Sequence, residues 1–103
     1  MNDKATAIMG FAVKGRKLIY GIDNIEKYSG KIYSVYYDES LSEKSQKNIA
    51  FFAEKKKAVL IKCETPVESM TSKKKCKAAA LIDKNMHDGI INAIQNAERK
   101  TQN

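Results

Sequence analysis

The 103-residue sequence predicts an α/β fold: a three-layer α/β/α sandwich around a four-stranded mixed sheet. Two observations carry this prediction. Helix-period and strand-like apolar segments alternate along the whole chain, α-β-α-β-α-β-α-β-α. The strand segments are short and mostly apolar, as strands covered on both faces are.

Ala5, Ile8, Met9 and Ala12 recur at i, i+3, i+4 and i+7, which predicts a helix ending near Gly15. Lys17 to Tyr20 reads as a short strand. Asp23 or Asn24 is placed to cap a second short helix that ends before Ser29-Gly30. Ile32 to Tyr37 is β-branched and aromatic, hence a strand, and Asp38-Glu39-Ser40 stops it. Ser40 and Glu43 have capping-box spacing, and Leu41, Ser45, Ile49, Phe52 and Ala53 mark one face of a third helix. Lys55-Lys56-Lys57 suits its carbonyl end.

Ala58 to Cys63 is the next strand. Thr65-Pro66-Val67-Glu68 predicts a helix with Thr65 as cap and Pro66 at the first helical position. Ala78 to Ile82 favours helix by composition, since alanine is the best helix former. Its place between Lys77 and the turn at Asp83 makes it a buried strand. Asn85 is placed to cap a last helix with Met86, Ile90, Ala93, Ile94 and Ala97 on one face, and the polar tail from Arg99 is expected to fray. Val35, Leu60, Ile61 and Leu81 are expected at the centre of the sheet. Residues 1–103 form one domain on this reading.

The net charge of +7 favours an anionic partner, nucleic acid first. Cys63 and Cys76 lack metal-site spacing and are expected to be reduced thiols. No apolar run is long enough for a membrane helix, and the N-terminus lacks a signal-peptide layout, so a cytoplasmic protein without a membrane partner is expected. His87 is the one histidine, and its place in the first turn of the last helix suits capping or a surface role. Asp38 and Asp83 each follow a strand, where α/β sites form, but an Asp there commonly stops the strand and caps a helix. No cofactor or metal and no small-molecule substrate is expected.

Two stretches suit binding instead. Lys17 to Lys27 places Gly21 and the N–H groups after it at a helix start, with Lys27 one turn on. Thr71-Ser72-Lys73-Lys74-Lys75 is a basic loop before the last strand, suited to phosphate contact.

The stretches "IMGFAVKGRKLIYG", "VYYDESLSEKSQKNI" and "AAALIDKNMHDGIINAI", in this order, resemble the kink-turn-binding ribosomal protein family. These are the large-subunit L-seven-Ae and L-thirty-e proteins and their small bacterial relatives. The resemblance covers roughly residues 7 to 94 and implies the L-thirty-e-like α/β/α sandwich. It also implies a small, non-enzymatic protein that holds structured RNA, with the ribosome as one setting. The family's G-x-N-E-x-x-K contact falls on Gly21, Asp23, Asn24 and Lys27, and its second RNA-flanking loop on Thr71 to Lys75. Asp23 stands at the family's Asn and Asn24 at its Glu; Gly15-Arg16 inverts the usual order around that glycine. RNA binding is therefore the leading expectation. A diverged protein–protein module on the same fold is the runner-up, and a small enzyme with Asp38 and Asp83 in a cleft comes last.

Overall fold

The α-β alternation is realised in full. A computed structural model describes the backbone of residues 1–101 and the side chains of residues 1–97. The elements are α1 (Asp3–Lys14), β1 (Leu18–Tyr20), α2 (Ile22–Lys27), β2 (Ser34–Tyr37), α3 (Glu43–Lys55), β3 (Val59–Lys62), α4 (Val67–Thr71), β4 (Ala78–Leu81) and α5 (Lys84–Thr101). The last helix thus continues past Arg99, where fraying was expected, and Gln102 and Asn103 lie outside the described residues.

The sheet order is β1-β4-β2-β3. β4 runs antiparallel to both neighbours, and β2 and β3 are parallel. Ala78 to Leu81 is therefore a strand, and all four residues are buried. Its pleat serves two cores. Ala79 and Leu81 pack with α1, α4 and α5 through Met9, Val67 and Ile90. Ala78 and Ala80 pack with α2 and α3 through Ile25, Ile49 and Ala53. Alanine at this central strand lets both helical layers approach the sheet, which gives the three-layer sandwich. β3 is an edge strand, so Leu60 and Ile61 do not lie at the centre as expected; Val59 beside them is 44% exposed. An apolar strand alone does not say whether a second neighbour exists.

Four helix starts differ from the expected ones, each for a local reason. Gly21, with φ 87°, is the N-cap of α2, so Asp23 and Asn24 fall inside its first turn. Ser42, not Ser40, caps α3 by accepting from the Ser45 N–H at 3.2 Å. Pro66 takes the N-cap of α4 in place of Thr65. Asp83 caps α5 by accepting from the Met86 N–H at 2.9 Å, so Asn85 is within the helix.

Ser40 is instead drawn to Asp38. The Asp38 carboxylate accepts from the Ser40 hydroxyl and N–H and, with its other oxygen, from the Val67 N–H at 2.6 Å. It both stops β2 and caps α4, 29 residues on. Burial alone raises this carboxyl's pKa, but these hydrogen bonds and the charge of Lys77 outweigh it, and the pKa lies below the usual value. Asp83 ends β4, which is antiparallel to β2, so the two aspartates sit at opposite ends of the sheet. That removes the paired-carboxylate cleft of the enzyme reading.

Candidate nucleic-acid interface

Gly21 closes β1 and opens α2. Its N–H donates to the Ala78 carbonyl at 3.0 Å, which pins the turn to the start of β4. Its positive φ needs a residue without a side chain. One residue-pair further into β1, the Tyr20 carbonyl accepts from the Asn24 side-chain amide at 2.8 Å. Asn24 is exposed, and this bond fixes its orientation against the strand.

The α4–β4 loop arrives at the same place. Thr71 is only 3% exposed; its hydroxyl donates to the Val67 carbonyl at 2.8 Å and accepts from the Lys73 N–H at 3.3 Å. It therefore anchors the loop from beneath and lacks the exposure that the expected contact role requires. Ser72 then turns the chain in the left-handed region, φ 55°, and Lys75 does so again at φ 62°. The Cys76 N–H closes the second turn by donating to the Lys73 carbonyl at 3.1 Å. The two left-handed turns leave Ser72, Lys73, Lys74 and Lys75 exposed.

The two stretches meet at Tyr20. The Lys73 ammonium lies 5.2 Å from the centre of its ring, within cation–π range. Tyr20, Asn24 and Lys27 line one shallow depression of about 380 Å³, together with Leu18, Ile19 and Tyr28. Gly21, Asp23 and Lys75 line a second, of about 310 Å³, with Lys77 and Leu41. Gly21, Asp23, Asn24, Lys73 and Lys75 thus share one end of the sheet, and Lys27, at the far end of α2, lies further back along β1. Tyr20 and Lys77 complete this surface and were missed. Their sequence signals are an aromatic directly before the glycine and a fourth lysine in the run Lys73-Lys74-Lys75-Cys76-Lys77.

Cys76 lies directly beneath, buried, with its thiol donating to the Ala78 carbonyl at 3.2 Å. Cys63 is also buried and free, and burial pushes its thiol pKa up to about 11. Both behave as small core hydrophobes. His87 is in the first turn of α5, as expected, with its ring 5.9 Å from that of Tyr33. Its Nδ1 is buried without a hydrogen-bond partner, and burial lowers its pKa, with Lys84 adding to this and Asp88 opposing it.

This architecture defines the class: an α/β/α sandwich with a four-stranded mixed sheet. A solved protein of unknown function from Bacillus halodurans C shares the fold, with TM-score 0.81 and 13% identity over 91% of this chain and 99% of that one. At that identity the likeness speaks for the fold alone. No protein-family model and no curated protein matches the chain. No described helix is long and apolar enough to cross a membrane.

Proposed function

We propose that this is a non-enzymatic RNA-binding protein of the kink-turn type, with the grip formed by Gly21, Asn24, Lys27 and the Ser72–Lys75 loop. The ribosome and other structured RNAs are the settings this reading allows. The observation that carries it is the Lys73–Tyr20 contact, which joins the helix-start turn to the lysine loop at 5.2 Å. The joined surface offers what structured RNA needs: lysines for phosphates, and an amide and an aromatic face for bases. Asp23 is the discordant group, since a carboxylate repels phosphate and cannot donate to guanine O6.

Titration with a kink-turn RNA tests this. Lys27→Ala is expected to cost about 1–3 kcal/mol and to relax preference among RNAs, as loss of a base-edge contact does. Lys74→Ala should weaken all RNAs alike and lower the salt slope by about one charge's worth. Asp23→Asn should tighten binding. A parent that ignores structured RNA at low salt, with no rescue by Asp23→Asn, would turn the reading to a protein–protein module. Phe11 and Phe51, 61% and 62% exposed on α1 and α3, are what would serve such a module.

A further inference from the structure

The opposite end of the sheet is the more basic one. Leu18, Leu81, Ser34 and Val59 align in a single row across all four strands. At that row β1, β2 and β3 begin and β4 ends. The α1–β1, α2–β2, α3–β3 and β4–α5 loops therefore all emerge there. They carry Lys14, Arg16, Lys17, Lys31, Lys57 and Lys84, every one exposed. Of the acids nearby, Glu26 and Glu54 are exposed in the last turns of α2 and α3, Asp83 caps α5, and Asp88 bridges Lys84 at 2.8 Å. That is the one ion pair among the described residues, so Lys14, Arg16, Lys17, Lys31 and Lys57 lack an acidic partner there. At the Gly21 end, by contrast, Asp23, Glu39, Glu43, Glu64 and Glu68 interleave with the lysines.

A second observation concerns the backbone. α1 and α3 both end in Schellman turns at this row. Lys17 N–H donates to Ala12 and Arg16 N–H to Val13; Ala58 N–H donates to Ala53 and Lys57 N–H to Glu54. The left-handed position of such a turn usually holds glycine. Here it holds Arg16 and Lys57, both at φ 57°. Gly15 is adjacent to one of them and is not used for it. Two cations occupy strained positions at the same end of one sheet, and strain of this kind collects at functional surfaces. Lys31 adds an aromatic partner, its ammonium 5.7 Å from the ring centre of Tyr33.

We infer that this loop row is a second RNA contact, a sequence-independent track for the phosphodiester backbone. Three strand spacings make the row about 14 Å long, on the scale of a few consecutive phosphates of one strand. It takes the partner class proposed above, and so rests on that reading for RNA, but it uses a separate surface.

The test compares polyuridylate with a kink-turn RNA across salt concentrations. One variant combines Arg16→Gln, Lys17→Gln, Lys31→Gln and Lys57→Gln. A second combines Lys73→Gln, Lys74→Gln and Lys75→Gln. The first should lower the polyuridylate salt slope by about 2–3, at about 0.7 per lost contact. It should weaken that binding at low salt at least about tenfold and leave the preference for kink-turn RNA in place. The second should reduce that preference. Arg16→Gly with Lys57→Gly guards against a folding defect: it should melt higher than the parent and still bind polyuridylate more weakly. Unchanged polyuridylate affinity and slope in both the glutamine and the glycine variants overturns the inference. So does tighter binding to phosphatidylglycerol vesicles than to polyuridylate, which would make the row a membrane-facing surface. If the parent shows no kink-turn preference but the first variant still loses polyuridylate, the grip at Gly21 falls and this track stands.

Discussion

Asp38 holds three pieces of chain with one carboxylate: the end of β2, the turn at Ser40 and the start of α4 at Val67. Asp38→Ala removes these acceptors while their donors stay in place, one of them a buried N–H. It is expected to cost about 2–3 kcal/mol, the scale of hydrogen bonds to a charged group. Urea unfolding measures this. The same residue sets an acid limb. Because its folded pKa is lowered, its contribution is full above the unfolded carboxylate value and is lost as pH falls through the folded one. Asp38→Asn should flatten stability against pH in that acid range. Lys57, in its left-handed turn, predicts the reverse effect: Lys57→Gly should stabilise by up to about 1 kcal/mol, read as a raised melting temperature. The buried Cys63 and Cys76 should react with a thiol reagent only on unfolding, since burial raises both thiols.

At the scale of elements, β4 is the strand with most to lose. Ala79 is fully buried between the sheet and α1, α4 and α5, so Ala79→Leu forces those helices apart. The expected cost is about 1–3 kcal/mol, measured by denaturant unfolding, with Ala79→Gly as the cavity-side control. β4 was legible against its own helix propensity, because the turn at Asp83 left no length for a helix before α5. Caps were less legible than elements. Ser40 and Ser42, Thr65 and Pro66, and Asp83 and Asn85 are neighbouring candidates with similar chemistry. Tertiary contacts chose among them: Ser40 went to Asp38, and the Asp38 carboxylate reached Val67 from another strand. The edge position of β3 was illegible for a related reason. Its four residues look like those of an internal strand, and pairing order is a property of the sheet.

At the scale of the whole molecule, charge is divided between two ends of one sheet. The Gly21 end joins its two predicted segments through Lys73 and Tyr20, an arrangement that local pattern could not give. Thr71 went the other way, since a hydroxyl next to a lysine run reads as surface until its helix buries it. The cations of the far end are scattered over four sequence stretches, and only strand register collects them. The account's central claim is that the Gly21–Lys27 turn and the lysine loop form an RNA grip. It is tested most directly by titrating a kink-turn RNA with the parent and with Asp23→Asn at two salt concentrations. The account predicts binding that weakens steeply with salt, and tighter binding by the asparagine variant at both concentrations. Absence of binding to structured RNA at low salt, unrelieved by Asp23→Asn, would contradict it.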